Sequence, residues 1–438
     1  MLSSAFWRIY VSKNQLKRYW NELDAFASLA SHEARKLIGA RLLSQLQYFG
    51  RRADALPEWR ELASMGDPEE LWQHWPTLPI LTKRDLAARF PPKEMAKRLG
   101  LSGKLSSTGG STGEPTPFLH CSDMVAVSVA STIYCRMNMG WRPGMATIGL
   151  WGAERDIGKR QNLRLAIMAR LKNDWVVGGY NINSATVERV LHLIRRHRPV
   201  AIYGFTSMLE FVARQVLDTG VEVPRGAVST AWNGGEMLLD YQVDIFQKAF
   251  GLPILNWYGG RELSVMAYQR TSASPLEVLR PYLFIEVVDA NGKPVSPGET
   301  GRLICTSTVC RGSPFLRYEI GDLAAYAPED ADESGIRNIR QLHGRTAGTW
   351  TLPNGKVISC LFWNHLFKEF PEVRQFQVVL LKRQQIELRL KGTPLSREKE
   401  AHLRGILSNF AAHLPVTIRW MDQIPLTRQG KLVQVVEE

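Results

Sequence analysis

Residues 227–236 read AVSTAWNGGE, an apolar run that ends in an asparagine, two glycines and a glutamate. A short apolar run bounded by a glycine turn is typical of a buried strand. Three other stretches have the same pattern: ATIGLWG (146–152), PVAIYGF (199–205) and PILNWYGG (253–260). Residues 185–198 and 206–220, which lie between them, carry apolar side chains at helical spacing. This alternation predicts an α/β fold in which helices cover the faces of a sheet.

The glycine turns that follow these strands predict a binding site. In α/β sheets, ligands bind at the carboxyl ends of the strands. Gly234-Gly235 and Gly259-Gly260 directly follow two of the predicted strands. We therefore expect both turns to lie at the ligand-binding edge of the sheet.

The rest of the chain contributes three more regions. Residues 1–100 are predicted to be mostly helical, and residues 282–326 to form a β-rich subdomain around the turn sequence DANG (289–292). The residues from 344 onward predict a hairpin, a helix and a strand, which are enough for a small α+β domain. The sequence therefore predicts a large N-terminal domain (1–343) and a small C-terminal domain (344–438).

The composition excludes several classes of protein. The 438 residues are 45% hydrophobic and 22% charged, and the formal net charge is +13. The basic residues are spread over separate helical stretches and form no nucleic-acid module, so we expect no nucleic acid as partner. Five cysteines without a CxxC pair predict neither a disulfide framework nor a zinc ribbon. The sequence has no apolar run long enough to span a bilayer, so we expect a cytoplasmic protein. The oligomeric state stays open, and a homodimer is possible.

Residues 106–117, SSTGGSTGEPTP, form a stretch that cannot build a core, since it is rich in hydroxyls, glycines and prolines. Glycines let a backbone approach an anion closely, and serine and threonine hydroxyls add hydrogen-bond donors. The stretch lacks the lysine of a Walker loop and the spacing of a dinucleotide-binding fingerprint. Composition alone therefore leaves two interpretations open, a surface turn and a phosphate-binding loop.

The order of residues 107–116 resembles the phosphate-binding loop of adenylate-forming enzymes, the acyl-CoA ligases and their relatives. Four more stretches resemble motifs of this family and follow in the same order. They are Tyr258-Gly259-Gly260-Arg261-Glu262, Arg317-Tyr318-Glu319-Ile320-Gly321-Asp322, Gly344-Arg345 and Pro425-Leu426-Thr427-Arg428-Gln429-Gly430-Lys431. The short length, Thr116 and the Arg-Tyr-x-x-Gly-Asp sequence make the chain most similar to the phenylacetate–coenzyme A ligase-like branch, which includes capsule-biosynthesis relatives.

The resemblance implies a two-step reaction that uses ATP and Mg²⁺. A carboxylate attacks the α-phosphate of ATP, which gives an acyl-adenylate and pyrophosphate, and a second nucleophile then takes the acyl group. The resemblance also implies a C-terminal domain that moves between the two steps. The residues implied to bind the nucleotide are Ser107, Thr108, Gly109, Gly110, Ser111, Thr112, Gly113, Gly234, Gly235, Glu236, Tyr258, Gly259 and Asp322.

Charged residues carry the chemistry that the resemblance implies. Lys431 would bridge the carboxylate and the α-phosphate, Glu262 would hold Mg²⁺, and Arg345 would reach the ribose or a phosphate. Asp322 would accept hydrogen bonds from the ribose hydroxyls, and the Tyr258 ring would lie beside adenine. Most of these residues also have an ordinary structural interpretation: a solvated lysine near the chain end, a helix-start glutamate, a strand-end aspartate and a core tyrosine.

Several positions depart from the family pattern. Arg261 stands where the family turn has serine or threonine, and Thr116 stands where many ligases carry lysine. We hypothesise that Arg261 supplies the phosphate-directed charge through its bidentate fork, with a salt bridge at the sheet edge as the alternative. The hinge sequence at 344–348 lacks the acid that is usual in the family. The residues after Glu262 contain neither Cys nor His, so we expect no structural zinc.

The sequence leaves the acid and the acyl acceptor open. Five strand-end aromatic residues favour an aryl or other hydrophobic acid, although each can equally belong to the core: Trp151, Tyr203, Phe205, Trp232 and Trp257. One interpretation is an acid–coenzyme A ligase, and a second is a ligase whose acceptor is an amine, a hydroxyl or a carrier protein, as in polysaccharide or natural-product biosynthesis. A third is a non-catalytic nucleotide-binding protein, which the presence of Lys431, Glu262 and Asp322 disfavours.

Overall fold

The computed structural model has a mixed α/β architecture, which confirms the fold class predicted from the sequence. It describes residues 6, 10, 14–107, 116–151, 163–177, 183–330, 337–345, 350–351, 357–358, 363, 366–367, 370–381, 384–410, 414–426 and 432–438. Within these ranges there are twelve α-helices, and none of them is both long enough and apolar enough to cross a lipid bilayer.

The helices and strands are numbered here in chain order. The helices are α1 (Asn14–Ala27), α2 (Ser31–Gly50), α3 (Pro57–Leu62), α4 (Pro68–His74), α5 (Lys83–Arg89), α6 (Pro92–Leu99), α7 (Ser122–Asn138), α8 (Leu163–Lys172), α9 (Ser184–His197), α10 (Thr206–Thr219), α11 (Asp240–Phe250) and α12 (Arg397–Phe410). The strands are β1 (Gly103–Ser107), β2 (Pro117–Cys121), β3 (Ala146–Leu150), β4 (Asp174–Val177), β5 (Val200–Gly204), β6 (Val228–Asn233), β7 (Trp257–Gly260), β8 (Ser264–Tyr268), β9 (Glu277–Val278), β10 (Leu283–Val288), β11 (Thr300–Ser307), β12 (Tyr318–Tyr326), β13 (Ile339–Arg345), β14 (Trp350–Thr351), β15 (Val357–Ile358), β16 (Val373–Leu381), β17 (Gln385–Gly392), β18 (Val416–Trp420) and β19 (Val435–Glu437).

A four-stranded parallel sheet in the order β4-β3-β5-β6 is the frame of the central region. Its strands β3, β5 and β6 come from three of the apolar stretches that predicted strands, and α9 and α10 come from the two helical patterns between them. Helices α9, α10 and α11 pack their apolar side chains on one face of the sheet. Helix α7 covers the opposite face, and α1 packs on α7.

The fourth apolar stretch, residues 253–260, differs from its prediction. Leu255 makes one parallel bridge to Trp232, and the chain then pairs as β7 in an antiparallel sheet with β8 and β9. The backbone N–H of Trp257 donates to the side-chain oxygen Oδ1 of Asn233 at 2.9 Å. The side-chain acceptor replaces the next rung of the parallel ladder, so the pairing with β6 ends there.

A second core lies under a four-stranded antiparallel sheet in the order β10-β11-β12-β13. Apolar residues of α2 to α5 pack against β10, β11 and β12 in one continuous cluster. The turn between β10 and β11 has the chemistry that DANG predicts. Asp289 accepts the backbone N–H of Asn291 at 2.8 Å, and Gly292 has a φ of +79°, which favours glycine.

A buried ion pair joins the N-terminal helices to this sheet. Arg317 and Glu286 are 1% and 5% exposed, and their side chains meet at 2.9 Å. Arg317 also donates to the carbonyl oxygens of Pro76 at 2.7 Å and Leu78 at 2.6 Å, and Trp75 Nε1 donates to Glu286 at 3.0 Å. Burial raises the pKa of Glu286, and the adjacent guanidinium opposes that rise.

The C-terminal residues form a separate sheet and core. Strands pack in the order β18-β17-β16-β19, and α12 covers one face of the sheet. The hairpin of β16 and β17 is antiparallel, whereas β19 runs parallel to β16. This arrangement is α+β. The boundary at residue 344 stays a prediction, and Gly344 and Arg345 still belong to β13 of the preceding sheet.

We expect Arg317→Met to lower the free energy of unfolding by about 3–5 kcal/mol, because it leaves the Glu286 carboxylate buried without a counter-charge. The control is Arg18→Met, which removes a solvent-exposed pair with Glu22 and should cost no more than about 1 kcal/mol. Urea denaturation followed by tryptophan fluorescence measures both changes. Equal losses in the two variants would contradict the role given to the buried pair.

Candidate active site

The turn after β6 lies at the carboxyl edge of the parallel sheet, where the sequence predicts ligand binding. The N–H of Gly234 donates to the carbonyl oxygen of Gly204, at the end of β5, at 2.9 Å. A Cβ atom on Gly234 would lie 3.3 Å from the indole of Trp151, and Gly235 has a φ of +73°. The turn therefore presents bare backbone beside an aromatic ring, which suits a flat heteroaromatic ligand.

Asn233 fixes this turn relative to the next one. It is 1% exposed, and its Nδ2 donates to Thr206 Oγ1 at 3.1 Å and to the backbone oxygen of Glu236 at 3.0 Å. Its Oδ1 accepts the N–H of Trp257 at 2.9 Å. Sequence reasoning missed this residue. An asparagine at the end of an otherwise apolar strand was the signal, since a buried amide needs partners on every side.

Glu236 is bound at the start of a helix. Ser207 donates its backbone N–H to Oε2 at 2.8 Å and its hydroxyl to Oε1 at 3.1 Å. The backbone N–H of Leu432 also donates to Oε1, at 3.1 Å. The carboxylate therefore connects the large central region to the C-terminal segment.

The second glycine turn brings two predicted site residues into contact. The hydroxyl of Tyr258, on β7, donates to Asp322 Oδ2 on β12 at 2.6 Å. A Cβ atom on Gly259 would lie 2.5 Å from the backbone oxygen of Ser264, so this position needs glycine. Tyr258 and Asp322 are each half-buried, and their sheets meet at this point. Two motifs that lie 64 residues apart in the sequence thus form one site.

Glu262 lies directly beyond this turn and is 5% exposed. Tyr318 donates to its Oε1 over a long 3.5 Å, and its Oε2 accepts no hydrogen bond from any residue that the structure describes. His120 Nε2 lies 2.6 Å from the backbone oxygen of Glu262 and must donate its proton there. A held carboxylate with one spare oxygen fits a Mg²⁺ ion that takes its other ligands from phosphate and water.

Arg261 precedes this buried carboxylate in the sequence and is exposed. Among the described residues it has no ion-pair partner, so they offer no support for the alternative of a salt bridge at the sheet edge. An exposed guanidinium in the turn is accessible to an anion. The described ranges contain no group of three or more His, Cys, Asp or Glu side chains that could hold a metal ion.

Asp322 and Arg345 are partners in the register of β12 and β13. The backbone therefore brings the predicted ribose-binding carboxylate and the predicted hinge arginine to neighbouring positions. The adjacent glycines Gly321 and Gly344 have φ values of +90° and +85°. The Arg345 side chain itself lies outside the described parts of the structure.

The phosphate loop and the C-terminal lysine fall largely outside the described residues. Ser107 is the last residue of β1 and pairs in register with Pro117 of β2, and Thr116 is 7% exposed. The predicted residues that are not described are Thr108, Gly109, Gly110, Ser111, Thr112, Gly113 and Lys431. Their roles stay predictions.

The strand-end aromatic residues form three stacked pairs. Trp151 stacks on Phe205 with ring centroids 4.2 Å apart, and Tyr203 stacks on Trp232 at 5.6 Å. Trp232 also neighbours Trp257 at 6.3 Å. The guanidinium of Arg136, on α7, lies 5.2 Å from the centroid of the Tyr203 ring, a cation–π contact that sequence reasoning missed. Periodicity places Arg136 on a helix but does not show which ring it reaches.

No family model matches the chain. It is 21% identical over 341 residues to Protein CapK of Staphylococcus aureus, covering 77% of this chain and 73% of that protein. It is 23% identical over 393 residues to phenylacetate-coenzyme A ligase of Thermus thermophilus, covering 83% of this chain and 86% of the ligase.

Solved structures show the same fold. The structure of 2-hydroxyisobutyryl-CoA ligase in complex with 2-HIB-AMP aligns with a TM-score of 0.67 at 17% identity, covering 93% of this chain and 90% of that one. The recognition made from the motifs is therefore confirmed. The chain is similar in sequence to Protein CapK and to a phenylacetate-coenzyme A ligase, and it shares its fold with 2-hydroxyisobutyryl-CoA ligase.

Burial lowers the pKa of His120, and this shift makes stability depend on pH. As the pH falls below about 6.5, the unfolded chain takes up a proton at His120 before the folded chain does, so stability decreases. We expect His120→Gln, which keeps a donor for the Glu262 carbonyl, to reduce this loss by at most about 1.4 kcal/mol per pH unit. Urea denaturation between pH 7.5 and 5 measures the slopes. Identical slopes would contradict the assignment.

Proposed function

We propose that the protein activates a carboxylic acid with ATP, forms an acyl-adenylate with release of pyrophosphate, and transfers the acyl group to coenzyme A. The observation that carries this proposal is the hydrogen bond of 2.6 Å from Tyr258 to Asp322. It joins the glycine turn at the sheet edge to the carboxylate proposed to bind a ribose. A nucleotide needs both parts together, a surface for the base and an acceptor for the sugar hydroxyls.

The nucleotide would lie along the two glycine turns. The backbone of Gly234 and Gly235 would contact the adenine, with Trp151 as the ring behind the turn. Asp322 would accept the ribose hydroxyls while Tyr258 holds its second oxygen. The loop 107–113 would direct backbone N–H groups and hydroxyls at the phosphates.

Charge neutralisation is the main requirement of the first step, because a carboxylate anion attacks an anionic phosphate. Glu262 would hold the Mg²⁺ ion, which when bound neutralises the charge of the phosphate oxygens. Lys431 would bridge the acid and the α-phosphate, and Arg345 would contact the ribose or a phosphate. We further propose that residues 344–438 move as a domain between the two steps.

The acid is proposed to be an aryl or other hydrophobic acid. The stacked pairs Trp151–Phe205 and Tyr203–Trp232 lie at the ends of β3, β5 and β6, next to the turn proposed for adenine. Aromatic walls beside a polar turn favour a ligand with one apolar end and one charged end. We also propose a cytoplasmic location for this activity.

A panel of carboxylic acids tests the function, scored by pyrophosphate release with and without coenzyme A. We expect release with an aryl acid and a thioester product when coenzyme A is present. Lys431→Ala should lower the rate of release by about 10²-fold or more, because it removes the charge that bridges the two anions. The control is Lys399→Ala, an exposed lysine paired with Glu372, which should keep the wild-type rate.

The same assay separates the alternatives. Release that needs the acid but gives no thioester would favour an amine, a hydroxyl or a carrier protein as the acceptor. Absence of release with every acid, together with no binding of ATP, would favour a non-catalytic protein. A Lys431→Ala variant that adenylates at the wild-type rate would remove Lys431 from the mechanism.

ATP–pyrophosphate exchange tests whether Arg261 supplies phosphate-directed charge. We expect Arg261→Ala to lower the exchange rate about tenfold through a higher KM for ATP, and Arg261→Lys to recover part of the loss, because lysine keeps the charge without the fork. Arg225→Ala, at an exposed position of a loop, is the control. Wild-type exchange and ATP affinity in both Arg261 variants would contradict the hypothesis.

A further inference from the structure

We propose that Glu236 is a positioning residue, which holds the C-terminal segment against the start of helix α10 during the adenylation step. This inference rests on the proposed function, since it concerns the segment that carries Lys431. The sequence resemblance assigned Glu236 to the adenine turn. The hydrogen bonds of its side chain point to a second role.

The carboxylate acts as the N-terminal cap of α10. Phe205 occupies the N-cap position and provides no side-chain acceptor. Glu236 instead accepts the N–H and the hydroxyl of Ser207. A carboxylate at a helix N-terminus is stabilised by the unpaired N–H groups and the helix dipole. Its position is therefore fixed before the C-terminal segment docks.

The carboxylate also accepts a hydrogen bond from the C-terminal segment. Oε1 accepts the N–H of Leu432 at 3.1 Å, and this N–H belongs to the peptide group that links residue 432 to Lys431. The residues that follow are held by their own sheet, since Val378 N–H donates to Gln434 O at 2.7 Å and Gln377 Nε2 to Val433 O at 2.9 Å. Leu432 therefore joins the C-terminal sheet to the central region.

A second contact supports docking along the same helix. Arg374, on β16, reaches Asp218 near the other end of α10 at 3.4 Å. This pair is about half exposed on both sides, so it contributes little to the free energy of docking. The Glu236 contact is half-buried and made by a fixed carboxylate. It is the stronger of the two, and the one next to Lys431 in the sequence.

The positioning role predicts a difference between the two half-reactions. Attack on the α-phosphate needs Lys431 near the nucleotide, whereas transfer from a finished acyl-adenylate does not. We expect Glu236→Ala to slow ATP–pyrophosphate exchange at least tenfold through kcat. Transfer of the acyl group from supplied acyl-adenylate to coenzyme A should change less than threefold. A purely structural role would slow both half-reactions together.

Hydrogen exchange measured by mass spectrometry tests the contact without any activity assay. In wild-type protein the peptide containing Leu432 should be protected, and Glu236→Ala should speed its exchange about tenfold. Glu236→Gln keeps one acceptor oxygen and should recover part of the protection. This conservative variant tests the contact even if the alanine variant misfolds. Two variants serve as controls: Ser207→Ala, which keeps the acceptor for the Leu432 N–H, and Asp218→Asn. In both, the hydrogen-exchange rate of the peptide containing Leu432 should stay within about twofold of wild type.

The outcomes separate this inference from the proposed function. Unchanged exchange at Leu432 in Glu236→Ala would overturn the contact, whatever the enzyme does. If Glu236→Ala speeds hydrogen exchange at Leu432 but slows both half-reactions equally, the positioning role is overturned. If the wild-type protein releases no pyrophosphate with any acid, the proposed function fails, and the positioning role in adenylation fails with it. Hydrogen exchange at Leu432 still decides whether Glu236 holds the C-terminal segment.

Discussion

The buried pair of Arg317 and Glu286 is the constraint on which the site depends. Arg317 binds the carbonyl oxygens of Pro76 and Leu78 as well as the carboxylate of β10, so it fixes the N-terminal helices to the antiparallel sheet. Strand β12 begins at the next residue and carries both Tyr318 and Asp322. The direction of β12 therefore decides whether Tyr318 reaches Glu262 and whether Asp322 reaches Tyr258. A charge buried this deeply is tolerated because every part of the guanidinium fork has an acceptor.

The helices and strands could be predicted where the burial of one face of the element sets the spacing of its apolar residues. The strands β3, β5 and β6 and the helices α9 and α10 follow from short-range apolar patterns, since burial sets the period of each. The path of residues 253–260 could not be read this way. Its parallel pairing ends at Asn233, whose side chain takes the N–H of Trp257, and an apolar pattern carries no information about such a contact. Long-range partners of polar residues lie outside the reach of periodicity.

The site could be predicted as a set of motifs but not as an arrangement. Family resemblance selected Tyr258, Glu262 and Asp322, and the structure brings them to one edge where the sheets meet. Arg317 begins the Arg-Tyr-x-x-Gly-Asp motif, yet its partners Glu286 and Pro76 are 31 and more than 200 residues away in the sequence. His120 and Asn233 were not selected because their roles are to hold backbone groups of the turns. Residues that hold a site in place leave weaker sequence signals than residues that contact the ligand.

One such signal was nevertheless present in the sequence. Helix α10 begins after Phe205, whose side chain cannot accept a hydrogen bond from the first N–H groups of the helix. In the structure, the acceptor for the N–H of Ser207 comes from Glu236, at the end of a polar turn at the same edge of the sheet. A helix without a side-chain cap of its own can take an acceptor from another part of the chain, and each oxygen of that carboxylate can accept more than one hydrogen bond. In this chain the further donor is Leu432, and the cap of one helix becomes the connection between two parts of the protein.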